Sequence, residues 1–364
     1  MAYMVMFTMS TFFAYWASRA KNRDVMIFFS VISIMIPCVM GGLRAYGVGN
    51  DTVTYAFPHF KKALNASTFW GFVAGDNKLS RELGWSFITY ASTKLFRSLN
   101  VNFFIYQLIT ITCVYIGAYR HRKYAPFPFI LLLFFLVYYN QTYNFMRQCI
   151  ASSIIFMVLP DLEHRRYKRF IICVVIASMF HTSALIALIY FLGFHWLITT
   201  KMPDRLRNIS LYGILLGIFT AKYMIAFITT TIPLLSVYQG FERYVDIGSY
   251  ATSGLVFGSL LMFSIYKHGA QCVFGDEVYR FYTYNLAFNL LYRLMVSISA
   301  TRLLFYFSFA NVMLVASIPS IVREKSMKAL YCIIVVFVSL VYWYTVYVIR
   351  VQFNGTLPYR SIIF

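Results

Sequence analysis

Charge is scarce in this chain. Only 12% of its 364 residues are Asp, Glu, Lys or Arg, and only 12 are acidic, whereas soluble domains carry about 25% charged residues. So little polar surface excludes a soluble fold of this size. Cysteine is thin too: Cys38, Cys113, Cys149, Cys173 and Cys332 lie inside apolar runs, and Cys272 falls in a loop expected in the cytoplasm. With no CxxC pair and no Cys/His cluster, neither a metal site nor a disulfide framework is indicated. Also missing are a glycine-rich phosphate loop, a low-complexity tract and an internal repeat. The N-terminus lacks the basic stretch and small-residue cleavage site of a signal peptide, so its first apolar run reads as a span.

What the chain has is hydrocarbon. Its hydrophobic fraction is 60%, with 37 Phe and 30 Tyr, and its mean hydropathy is +0.67. Lipid must be the solvent for much of it, and in lipid only helices and closed barrels satisfy their own backbone. Apolar runs at 3–18, 25–42, 101–119, 126–144, 147–160, 168–199, 206–236, 251–267, 279–300, 302–319 and 329–349 match or approach a span's length. They predict an all-α, polytopic bundle of about 10–13 transmembrane helices, a single integral membrane domain over 1–364. Runs 168–199 and 206–236 exceed one upright helix, and the first is expected to break near His181.

The formal charge is +20, from 32 Lys and Arg. Nucleic-acid binding needs a basic face on a soluble module, and none is present. The charge reads instead as a positive-inside bias plus sites for an anionic substrate. Clusters at Arg19/Lys21/Arg23, Arg120/Arg122/Lys123, Arg165/Arg166/Lys168/Arg169, Lys201/Arg205/Arg207, Lys267/Arg280 and Arg323/Lys325/Lys328 are assigned to the cytoplasm. That alternation requires segment 84–98 not to cross, so it is expected as an amphipathic helix on the outer surface. Loops 43–100 and 237–250 and the C-terminal tail are then extracytoplasmic.

Chemistry concentrates after the second span, in Arg44-Ala-Tyr-Gly-Val-Gly-Asn-Asp51-Thr-Val-Thr-Tyr55. Gly47 and Gly49 permit positive φ and close approach, and a guanidinium suits phosphate oxygens; a plain turn with Arg44 anchored to headgroups is equally compatible. Glu82 can act as a general base or cap the helix that follows. Asn144, Arg147, Gln148 and Ala151 share one face if helical, and an Arg at the mouth of a span requires a partner, solvent or an anionic ligand. His181 can relay a proton or be an ordinary core histidine. Arg293 falls inside a span; Arg302 and Arg360 have no pattern of their own, and Glu242, Arg243, Tyr244 and Asp246 read as a solvated loop.

Taken together, Arg44…Gly-Val-Gly-x-Asp51-Thr…Tyr55, Glu82-x-Gly84, Asn144-x-x-Arg147-Gln148-x-x-Ala151, Phe180-His181-x-Ser183 and Pro358-Tyr359 resemble the EpsG family of exopolysaccharide polymerases, relatives of Wzy-type O-antigen polymerases. The resemblance is concentrated in residues 40–185. It implies a multi-pass protein of the bacterial cytoplasmic (inner) membrane whose active site faces outward and joins repeat units carried on undecaprenyl pyrophosphate. Its partners would be lipid-linked glycan donor and acceptor, membrane lipids, and a chain-length regulator and flippase of the same pathway. No cofactor or metal is implied. In that chemistry Asp51 is the first candidate for general base, with Glu82 and His181 behind it. Arg44 and Arg147 are assigned to the diphosphate, with Tyr55, Asn144, Gln148, Arg293 and Arg302 as further substrate-binding candidates. A flippase of lipid-linked units, a membrane acyltransferase modifying surface polysaccharide, and a non-catalytic scaffold remain the alternatives.

Overall fold

A computed structural model describes residues 1–200, 247–295, 298–349 and 355–363, together with 203, 205, 206, 209, 210 and 213. Among the described residues the chain is helical and forms no strands, as expected of a membrane bundle. Among the described residues, three helical stretches are long and apolar enough to cross a bilayer: Arg23–Gly42, Leu99–Arg120 and Lys325–Ile349. Shorter apolar helices cover Phe127–Tyr143, Leu255–Ile265 and Phe305–Ile321. The fold divides into two compact units, 1–187 with 336–364 and 188–335.

The first unit opens with the hairpin of α1 (Ala2–Arg19) and α2 (Arg23–Gly42). Ser10 and Ser33 each donate to the other's carbonyl, at 2.7 and 2.8 Å, which draws the two backbones together. A π-helical turn (Thr52–Ala56) leads into α3 (Phe57–Asn65) and the short α4 (Phe69–Val73) and α5 (Asn77–Arg81). Next come α6 (Leu83–Phe96), α7 (Leu99–Arg120), α8 (Phe127–Tyr138), α9 (Met146–Glu163) and α10 (Tyr167–Ser178). Between α8 and α9 the run turns through a 3-10 segment, Tyr139–Tyr143. The break expected near His181 is present: α10 ends at Ser178 and His181 is extended (φ −154°, ψ 113°) before a 3-10 turn at Thr182–Leu185.

Two ends of this unit differ sharply. At one end Tyr115 and Tyr119 of α7 reach Ser30 and Met26 near the start of α2, and Arg120 forks onto Asp161 of α9 with two 2.8 Å bonds. The basic groups near 19–23, 120–123 and 165–169 therefore gather there. Asp161 is fully buried, with Arg166 and Arg169 at 3.8 and 3.6 Å. The other end carries residues 43–50, Asn100, Tyr139–Arg147 and His181.

The helix α6 is amphipathic, but with its faces reversed relative to a helix in water. Ser86, Thr89, Ser92 and Thr93 are buried, while Phe87, Leu95 and Phe96 are exposed. The polar face is consumed by α7, which runs antiparallel beside it: Thr89 lies 2.7 Å from the Tyr106 hydroxyl, Ser92 donates to Asn102, and Asn102 donates to Thr93. Arg97, in a left-handed conformation, ends the helix, and Ser98 caps the next.

In the second unit a short helix, α11 (Gly193–Thr199), precedes α12 (Ile247–Ile265), α13 (Lys267–Phe274), α14 (Asp276–Met295) and α15 (Ile298–Ile321); α16 (Lys325–Trp343) continues into the first unit. Its core holds the rings of Phe191, Phe281 and Phe307. Run 206–236 and the charged residues Glu242, Arg243, Tyr244 and Asp246 lie outside the described residues apart from 206, 209, 210 and 213; of loop 237–250, only residues from Ile247 on are described, as the start of α12.

Breaking a buried ion pair from one side leaves an uncompensated charge and costs about 3–5 kcal/mol. Asp161→Ala, which strips Arg120 of its carboxylate, is therefore expected to lower the thermal unfolding midpoint of the detergent-solubilised protein well below that of Arg122→Ala.

Candidate functional site

Three segments distant in sequence meet at one carboxylate: the α5–α6 linker with Glu82, the head of α9 with Arg147, and the break after α10 with His181. Glu82 ends the α5–α6 linker, and its position is fixed by the residue two places on. The N–H of Gly84 donates to the Met179 carbonyl at 2.9 Å, joined by that of Trp85 at 3.3 Å. A Cβ on Gly84 would stand 3.0 Å from the Met179 Cβ and 3.2 Å from its carbonyl oxygen, so glycine allows the close docking. Met179 is two residues before His181, and this clamp brings Glu82 and His181 together.

Each carboxylate oxygen has its own cationic or protic partner. Oε1 lies 2.7 Å from Nδ1 of His181, and Oε2 accepts a hydrogen bond and ion pair from Nη1 of Arg147. The Glu82 side chain is only 8% exposed, Arg147 15% and His181 30%, so the imidazole is the most accessible of the three. Burial alone would push the Glu82 carboxyl up, but the His181 hydrogen bond and the Arg147 charge outweigh it and hold the group below its usual range.

Arg147 sits in the first turn of α9 with its guanidinium carbon 4.7 Å from the centre of the Tyr55 ring. Tyr55 is anchored in turn, its hydroxyl donating to the Asn144 carbonyl at 2.7 Å. The side-chain oxygen of Asn144 accepts the Asp51 N–H at 3.3 Å. Asn144 thus stands before the helix, tying the 51–55 segment to it. Gln148 and Ala151 are buried along the same helix.

The Tyr55 ring also neighbours His59 and Trp85, each at 6.1 Å, and Trp85 stacks on Tyr106 at 4.1 Å. His59 faces Asp76 at 3.8 Å, as does Lys62 at 3.7 Å. Burial, reinforced by the Arg147 charge, lowers the His59 imidazole to about 4, so it is neutral at physiological pH. Sequence reasoning passed over His59 and Trp85; helical spacing of four from Tyr55 was the available signal for His59.

Arg44 has a different setting. It is 2% exposed, held between the rings of Phe103 and Tyr143 at 3.9 and 4.4 Å, with Nη2 on the Met146 sulfur at 3.2 Å. Among the described residues it pairs with no carboxylate, and its Nε has no hydrogen-bond partner. Arg44 and Arg147 nevertheless belong to one end of the unit, because Met146 adjoins Arg147. The chain's last residues seal this region. Ala45 donates to the Arg360 carbonyl, Ile362 to that of Leu43, and Gly49 to that of Gly355; Tyr3 donates to Thr356 and Tyr359 to Met40. At Gly49 (φ +92°) an added Cβ would meet the Tyr143 carbonyl at 2.9 Å.

Arg293 and Arg302 fall on α14 and α15, but their side chains lie outside the described residues. No group of His, Cys, Asp or Glu able to hold a metal ion occurs among the described residues.

A helical membrane protein with a buried carboxylate bridging a guanidinium and an accessible imidazole is the class this architecture defines. The family profile for EpsG matches residues 27–361, and the chain belongs to the EpsG family, that of Wzy-like polysaccharide polymerases. No curated protein and no solved structure matches it.

A carboxylate held acidic in the folded state contributes stability that is complete above its unfolded value and lost as pH falls through the folded one. Glu82→Gln should therefore unfold at a lower temperature than wild type at pH 7, and the gap should close as pH drops below the ordinary carboxylate range. A gap that persists unchanged at pH 3 would contradict the ionised bridge.

Proposed function

We propose that this protein joins lipid-linked oligosaccharide repeat units into polysaccharide, working at the outer face of the bacterial cytoplasmic membrane on glycans carried by undecaprenyl pyrophosphate. Family membership makes it a membrane protein of the polysaccharide-polymerase type. The observation that carries the finer reading is the Arg147–Glu82–His181 cluster at the end opposite the basic one. An outward-facing site follows if the positive clusters mark the cytoplasm.

The reaction makes two demands. The acceptor hydroxyl must lose its proton while attacking the anomeric carbon, and the departing diphosphate gathers negative charge. His181 meets the first: with Nδ1 turned to Glu82, its Nε2 is the nitrogen left to take the proton, and a positioned base contributes about 10²–10⁴-fold. Arg147 meets the second, because a guanidinium forks onto phosphate oxygens. We place Asp51, beside Asn144 and Tyr55, with the sugar-binding groups, and Tyr55 as a ring for a sugar face. Arg44, caged by Phe103 and Tyr143, supports the start of α9 on which Arg147 stands.

A flippase would act on the same lipid-linked units, and the host separates the two. Deleting the gene should abolish long glycan chains and leave single units transferred to the surface, seen on gels; undelivered units accumulating inside would instead indicate a flippase. On the purified protein, His181→Ala and Arg147→Ala should each cut polymerisation at least about 100-fold. Normal rates from both would remove this reading.

A further inference from the structure

The base and the diphosphate ligand assigned above are attached to the same carboxylate, one to each oxygen: Arg147 to Oε2 and His181 to Oε1 of Glu82. A carboxylate neutralised by a guanidinium is a weaker acceptor for an imidazole N–H than one standing alone, because part of its charge is already compensated. A diphosphate carries more negative charge than a single carboxylate and presents several oxygens to the fork of Arg147. It therefore competes with Glu82 for that guanidinium.

Building on the polymerase reading, we propose that Glu82 is a relay between substrate binding and proton transfer. A lipid diphosphate draws Arg147 away from Oε2, and the released carboxylate then binds the Nδ1–H of His181 alone and strengthens Nε2 as a base. In the step that follows, the acceptor oxygen bonds to the anomeric carbon and its proton passes to Nε2. The bond from that carbon to the diphosphate oxygen breaks, and its electron pair stays with the oxygen. The imidazolium so formed rests against an anion no longer shared. Glu82 touches no reacting atom and is a positioning residue.

The charged and titratable groups around the bridge leave this role to Arg147. From the 51–55 segment come Asp51 and Tyr55, and from α3 come His59, which is neutral at physiological pH, and Lys62; Asp76 stands before α5 and faces Lys62 and His59. Among the described residues, Arg147 from α9 and His181 beyond α10 are the two that contact the Glu82 carboxylate directly. Removing the Arg147 contact is thus how an arriving anion changes the carboxylate's direct partners, as distinct from the field of its own charge.

The test is the pH dependence of polymerisation by the full-length protein, using repeat units extracted from host membranes. The profile of kcat/KM reports the free protein and that of kcat the loaded one. In wild type the acid limb of kcat should lie about one pH unit above that of kcat/KM. In Glu82→Gln the two limbs should coincide. In Arg147→Gln the kcat/KM limb should already stand at the higher position.

Coincident limbs in wild type would overturn the relay. So would a gap that survives in Glu82→Gln, since that places the effect in the diphosphate's own charge. If Glu82→Gln does not fold, Arg147→Gln decides alone, and an unmoved kcat/KM limb rejects the proposal. Failure of the polymerase reading looks different: wild type makes no polymer, or His181→Ala makes as much as wild type.

Discussion

A single negative charge organises one end of this protein. Glu82 is nearly buried, and an ionised carboxylate there is tolerable only because a guanidinium and an imidazole each take one of its oxygens. Those partners arrive from different helices, so the ion pair is also a tertiary bond linking the α5–α6 linker, the head of α9 and the break after α10. Loss of Glu82 would leave both partners without their shared anion, whereas loss of either partner leaves the carboxylate with one.

The surrounding packing serves that bond. Gly84 lets two backbone N–H groups reach the Met179 carbonyl, which sets where Glu82 and His181 meet. Tyr55 lies along Arg147 and is itself hydrogen-bonded to Asn144 just before the same helix. Behind this layer, Arg44 fills an aromatic slot whose rings stand in for a counter-anion, since the faces of Phe103 and Tyr143 attract a cation. Residues 355–363 close the slot with backbone bonds to 43–49.

Much of this was legible in the sequence, and the limits have physical causes. Apolar run length located α2, α7 and α16, and the excessive length of run 168–199 with His181 at its middle located the break there, because in lipid a helix breaks only where its backbone can be satisfied otherwise. The residue marks Glu82, Arg147 and His181 stood out singly. What the sequence does not carry is their pairing: Glu82 reads as a general base or a helix cap, and nothing local reveals that Arg147 reaches it. Arg44 had the reverse fate. Beside two glycines it read as a phosphate ligand or lipid anchor, whereas its surroundings are decided by Phe103 and Tyr143 far along the chain. His59 and Trp85 went unnoticed because their relation to Tyr55 is set by the packing of α3 against α6. Segment 84–98 reads as an amphipathic helix and α6 (Leu83–Phe96) is one, yet which face is buried depends on α7 supplying Tyr106 and Asn102 to its hydroxyls.

The outward display of Phe87, Leu95 and Phe96 on α6 has a practical meaning for anyone handling the purified molecule. The helix that begins one residue after Glu82 wears its oily side toward the surroundings, and its first turn is also what Met179 holds. Whatever amphiphile coats that side therefore packs on the very helix whose start anchors the acid.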